Sequence, residues 1–426
     1  RLEAVERLLQ RRAVTPTLFE YFERTAGAEK VSRYPEPSDG DLEVYEVTEG
    51  GKVRFSLNDD QRAALKQSFA RGPLSLVQGP PGTGKTTFIA AFVHHVVSHA
   101  PGSRVLLASQ SHEATNNALE KVMYLAERTG LPLDVVRVGD DGMISVPIKH
   151  VGILSVQESY RERFRSEMKA RIVSLASRLA LKESFVEEYC GVMLQLLKLE
   201  GDLHQLGEDL KDLDDDSARD VLQQRVSSRR QAFMSIAAGV IDASEENEVT
   251  SIVVLVEEAL IRRHQVKNRL AVTKLRHLVR ISQEWVEVLG SSAGNFEEFL
   301  ARTRTVVAGT CVGIGRWSLG VADNNYDWVI IDEAARASSS ELAVPMQVGR
   351  RVLLVGDHFQ LPPLYKDEVR NEVAKRLGVG KDSNVFDSDF QRAFESGYGA
   401  VVGVSLSTQY RMAPSIGRLV SECFYA

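Results

Sequence analysis

The residues from Gly79 to Thr87, GPPGTGKTT, have the types and spacing of a loop that binds phosphate. They fit the pattern G-x-x-x-x-G-K-[ST] at every position, after an apolar run, LSLVQ, and before a helical pattern. Backbone N–H groups at such a helix N-terminus converge on phosphate oxygens, and the helix dipole favours the anion. The sequence therefore predicts a site for a nucleoside triphosphate.

Individual residues of this loop have separate expected roles. Gly79, Gly82 and Gly84 are expected to adopt backbone angles that other residues avoid. Lys85 is expected to place a cation on the β- and γ-phosphates, and Thr86 to offer its hydroxyl to Mg²⁺. The other loop residues of the predicted nucleotide site are Pro80, Pro81, Thr83 and Thr87.

An acidic pair follows an apolar strand pattern in WVIIDEAA. Asp332, at the end of that strand, is predicted to hold Mg²⁺, and Glu333 to orient or deprotonate an attacking water. The alternative is an acidic pair that caps the next helix. The phosphate loop upstream favours the metal-binding interpretation.

Two glutamines are candidates for contacts with the nucleotide. Gln360, in LLVGDHFQLPP, follows a strand end and is predicted to sense the γ-phosphate or the attacking water. On its own, that segment would indicate only a glutamine in a turn. Gln61, in SLNDDQRAAL, follows a predicted helix N-cap at Asn58, and its amide is predicted to pair with an adenine edge.

The segment LSTQYRMAP adds an arginine and an aromatic ring. Arg411 would by default be an ordinary surface arginine, but next to a γ-phosphate it would be an arginine finger. Tyr410 is predicted to stack on the base. Both roles depend on proximity to the nucleotide.

Strand and helix patterns alternate around these motifs, which predicts an α/β fold with a parallel, doubly wound sheet. The first 55 residues are expected to form two short helices, a loop at 34–41 and a β-hairpin at 42–57 around a Gly-Gly turn. The predicted strands of the sheet are 74–78, 104–109, 133–139, 304–310, 327–332, 350–356 and 400–406, with helices at 86–99 and 113–128.

Helical patterns replace this alternation between 151 and 303. Apolar residues recur there at steps of four and three, a heptad seam that predicts a protruding coiled-coil arm closed by acidic residues at 212–216. The stretch 252–289 is the candidate antiparallel return, and a compact helical subdomain is the alternative. The seam consists of Val192, Leu196, Leu199, Leu203, Leu206, Leu210 and Leu213.

A basic stretch within this insert, 259–283, holds seven Lys or Arg residues and two histidines but no acid. Such a stretch could contact phosphates with salt-sensitive affinity. It could equally form a solvated helix face, or pair with the acidic end of the arm at Glu208, Asp209 and Asp212. A protein partner that docks on the arm is a further alternative.

Composition limits the function classes. With 52 basic and 58 acidic residues and a net charge of −6, the chain is no polycation, so any contact with nucleic acid needs a local groove. Cys190, Cys311 and Cys423 form no CxxC pair, which favours a reducing, cytoplasmic (intracellular) compartment over a zinc site or a disulfide framework. No apolar run has membrane-spanning length.

Taken together, these segments resemble the superfamily 1 helicases, in the branch of the nonsense-mediated-decay helicase. The phosphate loop matches Walker A, DEAA at 332–335 matches the Walker B box, and Gln61 matches the adenine-reading glutamine. GDHFQLPP and QYRMAP are the most specific matches. SQSHEATNNAL (109–119) and GTCVG (309–313) resemble the strand-contacting motifs of these helicases.

This resemblance implies a RecA-like P-loop NTPase that uses ATP and Mg²⁺ to move along single-stranded RNA or DNA and to unwind duplexes. It implies metal ligation by Thr86 and Asp332 and a general base at Glu333. The implied catalytic residues are Lys85, Glu333, Gln360 and Arg411, and the implied nucleic-acid contacts are Ser111, His112, Asn116 and Thr310.

The implied domain plan has a small N-terminal helix and β-hairpin region at 1–55, RecA-like parts at 56–150 and 304–406, the coiled-coil insert at 151–303, and the start of a second RecA-like domain at 407–426. QYRMAP opens that second domain in the resembled helicases. We therefore expect the chain to be the N-terminal motor half of a longer protein, able to bind ATP but slow to hydrolyse it alone. Arg336 stands where the resembled proteins often carry Gln.

Two other classes compete with the helicase hypothesis. A coiled-coil ATPase of the SMC type, acting as a clamp or tether, also separates Walker A from Walker B, but it carries an LSGGQ-like signature before the Walker B strand. The segment 306–328 holds no such signature, and GDHFQLPP has no place in that class. The third hypothesis is a scaffold in which ATP only sets a conformation.

Overall fold

The computed structural model describes residues 1–22, 29–30, 35–49, 52–211, 216–242, 248–291, 293–316, 320–321, 324–380 and 383–425. The chain forms two compact units. The first joins Arg1–Val156 to Gly294–Ala426, and the second is Gln157–Ala293.

The described strands all belong to the first unit. They are β1 (Glu29–Lys30), β2 (Val47–Glu49), β3 (Lys52–Phe55), β4 (Arg71–Gly72), β5 (Leu74–Gln78), β6 (Val105–Ser109), β7 (Val135–Arg137), β8 (Val306–Thr310), β9 (Tyr326–Asp332), β10 (Gly349–Gly356) and β11 (Gly403–Ser405).

The helices divide between the units. Those of the first unit are α1 (Leu2–Leu9), α2 (Asp39–Glu43), α3 (Asp59–Ala70), α4 (Lys85–His99), α5 (His112–Thr129), α11 (Ala293–Thr303), α12 (Cys311–Ile314), α13 (Ser339–Met346), α14 (Asp367–Leu377), α15 (Asp389–Glu395), α16 (Gly399–Val402) and α17 (Pro414–Phe424). Those of the second unit are α6 (Ile153–Ser177), α7 (Glu183–Lys211), α8 (Asp216–Ala238), α9 (Val249–Arg263) and α10 (Arg269–Ser291).

Seven strands form one parallel sheet in the order β11-β5-β10-β9-β6-β8-β7. Successive residues of a strand point to opposite faces, so Leu106 joins one hydrophobic core and Leu107 the other. The strands β5, β6 and β8 are buried at every residue, as expected when helices cover both faces. The predicted α/β fold with a RecA-like parallel sheet is confirmed.

The strands that lead into the candidate motifs end at the same edge of this sheet. Gln78 of β5 is in register with Gly356 of β10, and Ser109 of β6 is in register with both Asp332 of β9 and Thr310 of β8. Ligands of open α/β sheets bind at this carboxyl edge. The register therefore places motifs that are far apart in sequence next to one another at this edge.

The N-terminal region differs from the prediction in two places. A helix, α2, begins at Asp39 within the predicted 34–41 loop, because Ser38 and Asp41 form a capping box. The second predicted helix is only a 3₁₀ turn at Leu18–Phe22 within the described residues. The predicted hairpin is confirmed as the antiparallel pair β2 and β3, although its first strand begins at Val47; its Gly-Gly turn lies outside the described residues.

The second unit has a hydrophobic core of its own, in which α7 packs against α8, α9 and α10. Only 212–215 separate α7 from α8, and Arg229 of α8 pairs with Asp202 of α7 at 3.5 Å, so the two helices are antiparallel. The helix that returns antiparallel directly after α7 is therefore α8, while α9 and α10 of the predicted return 252–289 also pack against α7. Leu213 and the acidic residues at 212–215 lie outside the described residues, and a protruding arm stays a prediction.

Part of the basic stretch pairs with acids of the same helical core. Glu188 accepts hydrogen bonds from Arg263 and His264, each at 2.5 Å. The buried Glu257 pairs with Arg276. These acids belong to α7 and α9. Among the described residues, no pair joins the basic stretch to Glu208 or Asp209, and Asp212 lies outside the described residues.

Candidate nucleotide-binding site

The phosphate loop connects β5 to α4, whose N-cap is Gly84. Gly82 and Gly84 have φ of +83° and +80°, in the left-handed region that favours glycine. Gly79 needs no such angle, so that part of the prediction is wrong. Its missing side chain instead leaves room for Lys85, because a Cβ there would lie 2.6 Å from Lys85 Cγ.

The Lys85 side chain folds back over its own loop. Its Nζ donates to the carbonyl oxygen of Gly79 and, at 3.3 Å, to that of Pro80. Burial lowers the pKa of Lys85, and the carboxylates of Asp332 and Asp357 act against that shift. The Lys85 ammonium is thus largely shielded from water and lies near carboxylates. An anion bound there would be attracted more strongly than in bulk water.

Asp332 is the last residue of β9 and is only 5% exposed. Burial raises the pKa of its carboxyl to about 6, although the Lys85 cation acts in the opposite direction. Its Oδ1 accepts a hydrogen bond from the backbone N–H of Glu333 at 2.8 Å. A cation placed beside a buried carboxylate of this kind stabilises its ionised form.

Glu333 leaves the strand in a strained conformation, with φ of +56°. Its Oε2 is buried without a hydrogen-bond partner among the described residues, and its Oε1 lies 3.6 Å from Arg336 Nη1. The Glu333 side chain forms no capping bond to the 3₁₀ turn Ala334–Arg336. The alternative of an acidic helix cap therefore has no support here.

One cavity of about 700 Å³ in the first unit brings the separate motifs together. The loop residues Gly79, Pro80 and Thr83 are not among the lining residues, and the Thr83 hydroxyl donates to Pro80 O at 2.8 Å. The predicted site residues that line the cavity are Gln61, Pro81, Gly82, Gly84, Lys85, Thr86, Thr87, Ser111, Asp332, Glu333, Gln360, Tyr410 and Arg411.

Gln360 reaches this cavity from the loop after β10. Its Nε2 donates to Asp357 Oδ2 at 2.7 Å, and the Tyr425 hydroxyl donates to the same oxygen at 2.5 Å. Asp357 is buried, whereas Gln360 is exposed. Asp357 therefore orients the Gln360 amide, a role that sequence reasoning missed although the two residues share the GDHFQ segment.

Gln61 braces the phosphate loop. Its Nε2 donates to Thr83 O at 3.0 Å and to Gly84 O at 3.3 Å. Its Oε1 accepts from the backbone N–H of Asn58 at 3.0 Å, which completes a capping box for α3. The side chain is 2% exposed. Pairing with an adenine edge stays a prediction, since the amide in this conformation is engaged with the protein.

The QYRMAP segment lies against the phosphate loop. The backbone N–H of Tyr410 donates to Gly82 O at 2.8 Å, and the Tyr410 hydroxyl accepts from Asn58 Nδ2 at 2.9 Å. Arg411 is exposed and lines the cavity. The proximity that both predicted roles require is therefore present, while the roles themselves stay predictions.

Two of the predicted nucleic-acid contacts are helix N-caps at the carboxyl edge. The Ser111 hydroxyl accepts from the N–H of Ala114 at 3.1 Å, and the Thr310 hydroxyl from that of Gly313 at 3.0 Å. Thr310 is buried, and Ser111 is partly exposed. These hydroxyls already serve the protein, so contact with a strand stays a prediction.

Asn116 and His112 differ in their access to solvent. The buried Asn116 donates through Nδ2 to Met143 O at 2.9 Å and accepts through Oδ1 from Arg137 Nε at 2.9 Å. Its amide is thus committed to the protein. His112, the first residue of α5, is partly exposed. Of these two, His112 has the better access to a ligand.

Sequence reasoning missed several residues of the cavity wall. Lys121 donates to the Thr87 hydroxyl at 2.8 Å from the facing helix α5. The hairpin strand β3 also lines the cavity through Val53, Arg54 and Phe55. The sequence does contain a signal for Lys121, because it lies about three helical turns after Ser111. Residues at such intervals share one face of a helix, so both side chains could be expected on the cavity side of α5.

A family model described as an AAA domain matches residues 56–368, about three quarters of the chain. The chain belongs to this AAA-domain family. The match includes the phosphate loop, the DEAA box and GDHFQLPP. The segments that meet in the cavity thus fall largely inside the family's own boundaries.

Three curated relatives of this AAA-domain chain are helicases by name. ATP-dependent helicase upf1 of Schizosaccharomyces pombe is 26% identical over 379 residues, which cover 87% of the chain and 27% of the relative. Helicase sen1 of the same organism is 24% identical over 397 residues, 87% of the chain and 20% of the relative. DNA replication ATP-dependent helicase/nuclease DNA2 of Saccharomyces cerevisiae is 33% identical over 137 residues, 32% of the chain and 8% of the relative.

These relatives confirm the resemblance to superfamily 1 helicases of the nonsense-mediated-decay branch. They support the helicase class over the SMC-type clamp. The chain spans no more than 27% of the length of the three relatives named above.

The donor set of the AAA-domain site fits Mg²⁺ carried by a nucleotide. Within the described ranges, no group of three or more His, Cys, Asp or Glu side chains is placed to hold a metal. The cavity offers one buried carboxylate, Asp332, and the hydroxyl of Thr86. Mg²⁺ commonly takes one or two protein ligands and fills its shell with water and substrate phosphate.

Two further observations concern the surroundings of the protein. Among the residues that the structure describes, no helix has the length and apolar character to cross a membrane. Cys190 and Cys311 are buried free thiols, and Cys423 is an exposed one.

Proposed function

We propose that this AAA-domain chain is the ATP-driven motor part of a helicase that moves along single-stranded RNA or DNA and unwinds duplexes. The observation that carries the proposal is the shared cavity, which joins the phosphate loop, Asp332, Glu333, Gln360 and Arg411. Family membership supports the same assignment, because relatives that cover most of the chain include upf1 and sen1, which are named helicases.

The first task of the site is to hold the triphosphate. Lys85 gives its ammonium to the β- and γ-phosphates, exchanging the carbonyls of Gly79 and Pro80 for anionic oxygens. Gly82 and Gly84 let the loop backbone approach the phosphates. Mg²⁺, when bound, neutralises charge on the phosphate oxygens, and Thr86 and Asp332 would hold it.

The second task is hydrolysis. Glu333 accepts a proton from the attacking water, since its carboxylate lines the cavity next to Asp332 and neither oxygen has a hydrogen-bond partner among the described residues. Gln360, oriented by Asp357, positions the water or senses the γ-phosphate. Arg411 stabilises the charge that develops on the transferred phosphoryl group.

The third task is coupling to a strand. Ser109 lies in register with Asp332 on one side and with Thr310 on the other, so the DEAA box and the strand-contacting motifs leave neighbouring strands. A shift of the loop after β9 on hydrolysis therefore displaces the neighbouring residues Ser111, His112 and Thr310. This proximity supports their proposed contact with the sugar-phosphate backbone.

The wider setting belongs to the same proposal. A second RecA-like domain, begun at 407–426, completes the ATP site in the full-length protein, and a protein partner docks on the helical insert. An intracellular compartment is in keeping with three free thiols. The nucleotide-switched scaffold is the competing hypothesis, since it needs the same cavity but no strand.

ATPase activity of the full-length protein, measured with and without single-stranded RNA or DNA, tests the proposal. We expect turnover to rise with at least one strand type and a duplex with a single-stranded tail to be unwound. A Glu333→Gln variant is the control for contaminating ATPase. Turnover that neither strand type changes would contradict the motor and favour the scaffold.

A further inference from the structure

Arg137, the last residue of β7, is a fully buried cation with 0% of its side chain exposed. Its Nε donates to Asn116 Oδ1 at 2.9 Å, and its Nη1 donates to the carbonyl of Val138. Within the described part of the chain it forms no ion pair with a carboxylate. Burying a charge without a counter-ion is unfavourable, so this guanidinium is a feature that needs a reason.

The remaining contact of the guanidinium is with His112. Arg137 Nη2 lies 3.3 Å from His112 Nδ1. A guanidinium has only donors, so Nδ1 must be the acceptor. A neutral imidazole that accepts at Nδ1 carries its proton on Nε2. The pair therefore selects one tautomer of His112.

Other charges around the ring favour its neutral form. Burial, then Arg137, then Arg316 beyond α12 lower the pKa of His112, and Asp140 beyond β7 acts in the opposite direction. Two cations and one carboxylate thus face the imidazole. Near neutral pH the ring stays uncharged.

The ring is also fixed in space. Gly139 has φ of +150°, and a Cβ at that position would lie 3.4 Å from His112 Cε1 and 3.3 Å from Arg137 Nη1. The loop after β7 therefore packs closely against both side chains. His112 itself is partly exposed at the carboxyl edge, beside Ser111.

We propose that Arg137 is a positioning residue that holds His112 as the neutral Nε2–H tautomer, so that Nε2–H donates to a phosphate oxygen of a bound single strand. The choice of ligand rests on the proposed function, whereas the tautomer follows from the contact itself. Arg137 never touches the strand. It converts a titratable group into a donor whose strength does not change near physiological pH.

The tautomer is measured directly by two-bond ¹⁵N–¹H NMR on full-length protein labelled at histidine, without nucleic acid. A His112→Gln variant identifies the His112 signals. At about pH 7 we expect an unprotonated Nδ1 and a protonated Nε2, since the ordinary histidine pKa is about 6.5. A protonated Nδ1 at that pH would overturn the proposal whether or not the protein binds nucleic acid.

Affinity for a fluorescent single-stranded oligonucleotide, followed between about pH 6 and about pH 8, tests the consequence for binding. Wild type and an Arg137→Gln/His112→Gln double variant should share the same shallow pH profile. Arg137→Gln alone should bind about threefold to tenfold more weakly at the upper end, the size of one hydrogen bond. It should recover towards the lower end, where the released imidazole becomes protonated.

The controls separate this inference from the proposed function. A uniform loss in Arg137→Gln at every pH would indicate a purely structural role and overturn the inference. Arg137→Lys, which keeps the charge and a donor, should retain the wild-type profile. If thermal melting shows that Arg137→Gln is unfolded, the tautomer of His112 measured in the wild-type protein decides the inference. Strand binding by wild type that His112→Gln leaves unchanged would overturn this inference alone, whereas no strand binding by wild type would contradict the proposed function.

Discussion

The backbone N–H of Tyr410 donates to the carbonyl oxygen of Gly82 across 2.8 Å, which joins the segment of Arg411 to the phosphate loop. The contact is close enough that a Cβ on Gly82 would lie 2.6 Å from Arg411 Cβ. Residues more than three hundred positions apart are thus in van der Waals contact. A conformational change of the phosphate loop on nucleotide binding would therefore also move Arg411.

A Gly82→Ala substitution should damage the nucleotide site in two ways. The new Cβ clashes with Arg411, and φ of +83° is unfavourable for alanine by about 1 kcal/mol or more. We expect affinity for ATP to fall at least about tenfold, a loss equivalent to about 1.4 kcal/mol. Isothermal titration calorimetry with Mg²⁺ and ATP measures it.

Gly102→Ala is the matched control for that variant. Gly102 also has a positive φ, +86°, but a Cβ there meets nothing within 4 Å. It should lower the free energy of unfolding by about 1 kcal/mol and leave ATP affinity unchanged. If both variants lost ATP affinity equally, backbone strain and not the contact with Arg411 would be responsible.

Gln61→Ala should weaken the phosphate loop as a whole. The side chain caps α3 and holds the carbonyls of Thr83 and Gly84, so its loss should destabilise the protein by about 1–2 kcal/mol. Because these bonds brace the loop, affinities for ATP and GTP should fall by similar factors. A fall confined to ATP, in competition assays with both nucleotides, would instead show that the amide reads adenine.

The types and spacing of the motif residues were sufficient to predict which segments line the cavity of the candidate site. Periodicity alone also predicted the order of strands along the chain, because β5, β6 and β8 are short, fully buried and bounded by turns. Spacing could not reveal that Gln61 faces Thr83 rather than solvent. That contact depends on how α3 packs beside the loop, which is a tertiary effect.

Asp332→Asn should stabilise the nucleotide-free protein above about pH 6. The folded pKa of Asp332 is raised to about 6 from an ordinary value of about 3.9, so stability is fully present below the lower value and is lost as pH rises through the higher one. Asparagine does not ionise and keeps the acceptor for the Glu333 N–H. We expect a gain of about 1–3 kcal/mol at about pH 7.5.

Urea unfolding of both proteins at about pH 4 and about pH 7.5 checks this difference. The gain should be near zero at the lower pH, where the wild-type carboxyl is also protonated. Binding of ATP with Mg²⁺ should weaken in wild type as pH falls through about 6, since protonation removes the charge that would hold the metal. An equal gain at both pH values would contradict the assigned pKa direction.

Glu333→Gln in the full-length protein should separate binding from hydrolysis. The amide keeps the size of the side chain but cannot accept the proton of the attacking water. We expect turnover to fall by about a hundredfold or more, the typical contribution of a general base, with ATP bound as tightly as in wild type. Rapid quench of bound nucleotide measures this, and normal turnover would refute the general base at Glu333.

The helical insert shows the limit of pattern reading. The heptad seam predicted the helix α7 correctly. It could not predict the partner helix, because an apolar stripe shows that a helix packs against another one but does not show which one. The short connection to α8 and the pair of Arg229 with Asp202 decide that question. Likewise, Asp140 and Gly139 approach His112 only because β7 ends beside β8 in the sheet.

Calorimetric titration of the chain with ATP and Mg²⁺, in wild type and in Lys85→Ala, tests the central claim most directly. If the cavity between the phosphate loop and Asp332 holds a triphosphate, wild type binds one ATP and Lys85→Ala shows no measurable binding. Lys66→Ala, which removes a partly exposed lysine paired with Asp39, should bind as wild type does. Undiminished binding by Lys85→Ala would contradict the claim that this loop holds the phosphates.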